Sequence, residues 1–291
     1  MEPIIDKYIL FDTLYAPEPE PIYIKNWIKP EDFKYYNKYS NILIIGIDDP
    51  IDDSIDTLIK YFRNKHDVKE FPIILNDVYA KPQIITLIRD SDKNEIEKKI
   101  DHTSSNIKEI IDNHLSDLLL YRSEKQIQNK SLSSLIYEKF SIDMFLSENF
   151  KLINNPKDSF IWLGKGSIGV DNSSYQWIVI HQDNMGANSI DGPISLLSRI
   201  KEVFNSILPD IKLITKFNKY SKINFNNKNI YKVNSNYNHL VYQTCGPLTI
   251  YLIEDFNSNK ITVIFALVNA PGQPKIQYIK ELETIIINSI F

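Results

Sequence analysis

The sequence predicts an α+β protein of mixed and antiparallel sheets packed by amphipathic helices. Three observations carry this. Apolar strand-like runs alternate with helical stripes. Strands joined through helices coexist with strands joined by tight turns, a mixture foreign to a doubly wound parallel sheet. One apolar stripe also continues from Ile96 to Leu118, giving the first half a single long helix. The composition suits such a fold. Of 291 residues, 43% are hydrophobic, 24% charged and 12% aromatic, enough to offset the entropy of ordering the chain.

The elements follow in order. Tyr8-Ile9-Leu10-Phe11 opens the chain with an apolar run. Pro17-Glu18-Pro19-Glu20-Pro21 is an extended segment that no helix accepts, and Ile22-Tyr23-Ile24 resumes as a strand. Ile42 to Ile47 is almost continuously apolar, as in a strand covered on both faces. A helix from Ser54 to Asn64 turns Ile55, Leu58, Ile59 and Phe62 to one side. Gln83 to Arg89 is the next strand. Asp92, with Glu95 three residues on, starts the long helix in capping-box fashion, and Leu132 to Phe140 is a second helical piece.

The other half begins with strands Phe160–Leu163 and Trp177–Ile180. Asp191-Gly192-Pro193 opens a helix, with Asp at the cap and Pro in the first turn. Ile194, Leu197, Ile200, Phe204 and Ile207 form its buried stripe. Lys219 to Asn238 is Asn-rich and reads as a surface loop or weak edge strand. Strands Leu240–Ile253 and Ile261–Val268 meet at an Asn257-Ser258-Asn259 turn. Pro271-Gly272-Gln273-Pro274 ends the second strand, and a last helix turns Ile279, Leu282, Ile286 and Ile290 inward. The reading is of two halves, 1–148 and 149–291, meeting in the polar stretch Leu146–Pro156, or of one continuous domain.

Net charge is −4, and basic and acidic residues are interspersed. The chain lacks the summed basic field that phosphate backbones require, so nucleic acid is not an expected partner. The single cysteine, Cys245, excludes an internal disulfide and reads as an inert buried thiol between strand-like flanks. No apolar run reaches the roughly 18 residues of a transmembrane helix. Met1-Glu2-Pro3 does not open a signal peptide, which fits a cytoplasmic protein and a mature exported one equally.

Motifs that would carry chemistry each lack a required part. Gly164-Lys165-Gly166-Ser167-Ile168-Gly169 spells the dinucleotide fingerprint, but a strand follows where the pyrophosphate needs a helix N-terminus. A kinase glycine loop tolerates that strand. The next strand, Trp177-Ile178-Val179-Ile180-His181, has no lysine, however, and Asp255-Phe256-Asn257 falls in a hairpin turn. His66, His102, His114, His181 and His239 form no close ligand pair, and His102 and His114 do not face one another on the long helix. His181, at a strand end, is the one candidate for catalysis. Asp48, Asp49, Asp52 and Asp53 are the one candidate cation site, although acidic residues at a helix start are explained by capping and the helix dipole. No other metal site and no cofactor is expected.

Several stretches resemble the uncharacterised Bacteroidetes lipoprotein family known as domain of unknown function 4837. They are Pro19-Glu20-Pro21; Tyr79-Ala80-Lys81-Pro82-Gln83; Gly246-Pro247; Ala270-Pro271; and Lys275 to Glu283, which contains Tyr278 and Leu282. The resemblance implies an envelope location on the periplasmic side, with any membrane attachment through a lipid anchor, and it implies no activity. Its motifs also read structurally. Lys81-Pro82 sets an extended approach to a strand, Gly246-Pro247 permits a bend where strands meet, and the last run is a helix face. The expectation is a non-catalytic envelope protein that binds a partner protein, glycan or small ligand in a cleft between its halves. The alternative is a hydrolase using carboxylates or His181 there.

Overall fold

The computed structural model describes residues 2–9, 13–14, 20–21, 23–47, 60, 72–155, 157–167, 173–185 and 190–290. The chain divides into two compact units, Met1–Asp12 with Pro21–Tyr121, and Thr13–Glu20 with Arg122–Phe291. The described residues form helices and strands in mixed and antiparallel sheets, an α+β fold.

The first unit opens with α1 (Glu2–Tyr8), which buries Ile4 and Ile5 where the sequence offers only an apolar run. A two-residue ladder joins β1 (Thr13–Leu14) to β2 (Glu20–Pro21), of which Thr13–Glu20 belongs to the second unit. Tyr23 and Ile24 lie in irregular chain, not in the expected strand. The Tyr23 hydroxyl is 3.1 Å from the Asp112 carboxylate. After a 3-10 turn, Pro30–Asp32, and α2 (Phe33–Tyr36) comes a three-stranded sheet. In it β3 (Asn41–Ile47) runs parallel to β5 (Ile84–Asp90), and β4 (Ile73–Asn76) antiparallel to it. Apolar β3 does serve two faces. Leu43, Ile45 and Ile47 pack with α1 and the long helix, and Ile42 and Ile44 with Phe33 and Tyr79. The expected helix Ser54–Asn64 lies outside the described residues apart from Lys60, which is helical.

α3 (Lys93–Glu124, 32 residues) is the long helix. Asp92 Oδ1 accepts from the amides of Asn94 and Glu95 at 2.7 and 3.1 Å, satisfying orphan donors of the first turn. The Glu95 carboxylate is 2.5 Å from Lys98 Nζ. Ile96, Ile100, Ile107, Ile111 and Leu118 are buried along the predicted stripe.

In the second unit, α4 (Lys130–Phe140) precedes a seven-stranded antiparallel sheet. Its strands are β6 (Lys151–Leu152), β7 (Phe160–Gly166), β8 (Tyr175–Asn184), β9 (Ile211–Phe225), β10 (Lys228–His239), β11 (Thr244–Asp255) and β12 (Lys260–Asn269). They lie in the order β6-β7-β8-β12-β11-β10-β9. α4 and the terminal helix α6 (Ile276–Ile290) pack on one face with Ile178, Ile180, Ile264 and Ala266. α5 (Pro193–Ile207) packs on the other with Trp177, Val179, Phe265 and Leu267. α4 and Leu146 pack on this sheet.

Other expectations are corrected here. Gly192, with φ 130°, caps α5 in place of Asp191. Ile194 is 86% exposed, and Leu196 takes its place in the stripe; with the helix starting at Pro193, the inward face falls on 196, 200, 203, 204 and 207. The Asn-rich stretch is not a loop: up to Phe225 it is the edge strand of the alternative reading, and it turns there into a long hairpin. Asn226 and Asn227 adopt φ of 47° and 59°, the left-handed pair that a two-residue turn demands and that Asn tolerates. β10 then sits inside the sheet and buries Tyr231, Val233 and Tyr237. β11 begins at Thr244, so Leu240 to Gln243 is a turn, and Cys245 is half-buried rather than buried.

Candidate binding surface

β10 and β11 pair from Lys228↔Asp255 to His239↔Thr244, and the chain reverses through Leu240–Gln243. Gln243 holds φ 50° to close the turn. The Leu240 amide donates to Asp210 O at 2.8 Å, and the Tyr242 amide to His239 Nδ1 at 3.4 Å. The turn is thus tied down at its backbone while its side chains stand out. Leu240, Val241 and Tyr242 are 57%, 64% and 53% exposed, an unusual run of consecutive solvent-facing apolar residues.

Beneath the turn lies a stack of rings on the α5 face. Tyr242 rests 4.6 Å from His239, which lies 5.7 Å from Trp177. Trp177 meets Tyr175 at 4.5 Å and Trp162 edge-on at 5.1 Å. Such ring pairs contribute about 0.5–1.5 kcal/mol beyond their area. The Tyr175 hydroxyl is 2.7 Å from Thr244 Oγ1. The Tyr237 hydroxyl is buried beside that of Tyr175. Burial drives the Tyr237 phenol well above its ordinary range and raises that of Tyr175, while it lowers the basicity of His239 against the opposing pull of Asp210. At neutral pH these three groups are uncharged. The arrangement is therefore an apolar tip on a stiff aromatic base, suited to contact rather than to proton transfer.

Two glycines fit backbone that no Cβ would allow. At Gly166, with φ 98°, a Cβ would stand 2.1 Å from Ser174 O. The glycine loop thus serves the approach of β7 to β8, with residues 168–172 outside the described set. Lys165 in it is 2.6 Å from Glu281 on α6. At Gly246, a Cβ would stand 2.0 Å from Val268 O. The role of Gly246-Pro247 is this close strand approach, not a bend, since β11 runs straight through both.

His181 is buried, with Nε2 2.9 Å from Asp183 Oδ2, which also accepts from Arg199 at 2.8 Å. Its Nδ1 is buried without a hydrogen-bond partner among the described residues. A histidine oriented by a carboxylate is part of a nucleophilic triad, but here the second nitrogen meets no hydroxyl or thiol among the described residues. Asp48, Asp49, Asp52, Asp53 and His66 lie outside the described residues. Among the described residues no group of three or more His, Cys, Asp or Glu is placed to hold a metal ion. His102 is exposed, and His114 Nε2 is 2.8 Å from Ser40 O.

The residues that carry the family resemblance tie elements together. Glu20 of the first motif accepts from the Lys275 amide at 2.7 Å and pairs with its Nζ. The Tyr278 hydroxyl donates to Gln273, and Leu282 is buried under the sheet. Glu283, also buried, accepts from Thr249 at 3.1 Å and pairs with Lys232 at 2.8 Å. Gln83 is buried; its Nε2 donates to Asn37 O and Tyr39 O at 2.6 and 2.7 Å, and its Oε1 accepts from the Tyr79 amide at 2.8 Å. Ala80, Lys81 and Pro82 form a bend with a cis Lys81–Pro82 peptide, not an extended approach, and Lys81 Nζ is 3.8 Å from Asp77. Pro271 opens the exposed turn after β12, and Pro19 lies outside the described residues.

The second unit is thus a seven-stranded antiparallel sheet with helices on both faces. Residues 129–288 match the family described as domain of unknown function DUF4837, and the chain belongs to that family, the one its motifs resemble. No curated protein matches it. Among solved structures, the solution structure of cyanobacterial PsbP (CyanoP) from Synechocystis sp. PCC 6803 is similar over 48% of this chain and 91% of that one, at 12% identity and a TM-score of 0.27. That likeness is too slight to carry fold or function across. None of the helices among the described residues is long and apolar enough to cross a membrane.

Proposed function

We propose that this protein is a non-catalytic binding protein that engages a partner protein through the Leu240–Gln243 turn. The observation that carries this reading is the run of three exposed apolar side chains on a backbone-tied turn above a neutral ring stack. An apolar tip that is already ordered loses little entropy on docking, which is what preorganisation contributes to affinity. The family resemblance supports a site of action on the periplasmic side of the cell envelope. A hydrolytic reading has only the His181–Asp183 pair behind it among the described residues, and that pair lacks a nucleophile.

The test replaces Leu240, Val241 and Tyr242 together by serine, and separately places a photocrosslinking side chain at Val241. The serine variant keeps its stability within about 0.5 kcal/mol, as for exposed positions. The cross-linker captures one stoichiometric protein in the source cells, and untagged chain competes for it while the serine variant does not. Equal competition by the serine variant sinks the proposal. Fractionation of the same cells tests the location, and recovery with soluble cytoplasmic protein overturns it.

A further inference from the structure

The geometry points to a second interaction surface: the outer edge of β9, from Lys219 to Phe225, receives an extended acidic segment of a partner protein as an added strand. β9 ends the order of the seven-stranded sheet and, among the described residues, pairs only with β10. Its ladder to β10 breaks between Asn234 and Asn236, which leaves 219–225 as a separate arm paired with 228–234. Every residue from Tyr220 to Phe225 is exposed, whereas Tyr231 and Val233 on the neighbouring strand are buried. The arm is therefore anchored on one side and open on the other. Its outward amides and carbonyls form the template on which strand addition works.

Charge selects the occupant. The arm holds lysine at 219 and 222 and no acidic residue, in a chain whose net charge is −4, and Lys222 Nζ lies 5.2 Å from the centre of the Tyr231 ring. A second copy pairing edge to edge would set lysines against lysines, and like charges directly opposite are destabilising. An acidic strand would meet them favourably. Lysine alone would be enough to blunt an edge that must only avoid aggregation. This edge also shows Tyr220, Ile223 and Phe225 to solvent, which supplies apolar contacts for alternate side chains of an added strand.

The experiment measures anisotropy of a fluorescein-labelled twelve-residue peptide of alternating Glu and Val. The control peptide alternates Glu and Pro, so it has the same charge but half its residues cannot donate to a ladder. The Glu–Val peptide binds at least about tenfold tighter than the control, and Lys219→Glu with Lys222→Glu weakens it by about tenfold or more, both effects shrinking with added salt. Thermal melting confirms that the variant is folded. Equal binding of the two peptides reduces the surface to bare charge attraction and overturns the proposal, as does failure of the peptide to bind or indifference to the charge reversal. A dimer that sedimentation detects and the charge reversal alters would make a second copy the occupant, and equally overturn it. The Leu240–Tyr242 serine variant binds the peptide normally, which separates this edge from the turn.

Discussion

The two faces of the seven-stranded sheet are built from different materials. Against α4 and α6 the filling is mostly Ile and Leu, and polar side chains tie sheet to helix. Gln182 Nε2 donates to Phe140 O at 3.3 Å, Gln176 Nε2 to Tyr278 O at 3.1 Å, and Glu283 draws in Lys232 and Thr249. Against α5 most of the filling is again aliphatic, but it holds more rings, Tyr175, Trp177, Phe204, Tyr231, Tyr237 and Phe265. Its hydrogen bonds gather at Tyr175–Thr244, at Asp183–Arg199 and at the buried Glu254, which accepts from Tyr231 and from the Ile190 amide, both at 3.2 Å. A face held by directional bonds fixes which helix packs where, because a slip leaves buried polar groups unpaired. A face whose rings pack against one another adds contact by shape and can run on to the surface without a break. Here it runs on to Tyr242. The difference teaches that the α4–α6 face secures the fold, and the α5 face carries an apolar surface outward from it.

Consecutive residues on β12 test this directly, because Phe265 and Ile264 face opposite sides. Phe265→Ala removes a ring packed edge-on to Phe204 at 5.1 Å and costs about 3–5 kcal/mol, against about 2–5 for Ile264→Ala. Urea unfolding reads both. A loss under about 1 kcal/mol at Phe265 would mean that the ring face is loosely packed, and the contrast would fail.

The polar ties come next in size. Lys232→Met leaves the buried Glu283 carboxylate with Thr249 and with Lys280 at 3.9 Å, and lowers stability by about 1–3 kcal/mol. Adding Glu283→Leu restores much of it, since an apolar pair of similar volume replaces a buried ion pair at little cost. A double-mutant cycle by chemical denaturation checks this. Additive losses would show that the pair does not act as a unit and would blunt the comparison.

How much of this was legible in the sequence follows from the forces involved. β3, the long stripe of α3 and the strands on either side of the Asn257–Asn259 turn were legible because burial writes itself as periodicity. The Asn226–Asn227 hairpin was not, since Asn is depleted in strands and β10 is held by its neighbours rather than by propensity. Two Asn in succession were the available signal. Leu240-Val241-Tyr242 reads as strand because exposed and buried apolar residues look alike in one dimension. The pairing of Glu20 with Lys275 joins motifs at the two ends of the chain. Resemblance singled both out, but nothing in one sequence says they touch. The exposed turn and the open edge of β9 are properties of sheet order, which no local pattern records.

The smallest expected effect is a pH dependence belonging to one face. His239 is buried between Trp177 and Tyr242, and burial lowers its basicity below the ordinary value of 6.5. The unfolded chain takes a proton near pH 6.5, while the folded chain resists it to lower pH. Stability from this group is thus fully present above about pH 6.5, is lost as pH falls below it, and levels off once the folded form also protonates. The slope for a single group cannot exceed about 1.4 kcal/mol per pH unit. Protonation also removes the lone pair that accepts from the Tyr242 amide, so the same titration loosens the base of the exposed turn. Denaturation profiles of the parent and His239→Phe between pH 8 and 5 converge as the pH falls, since only the parent bears the cost. Parallel profiles would show that the ring stack does not exclude the proton, and the α5 face would then differ from its opposite in shape but not in charge response.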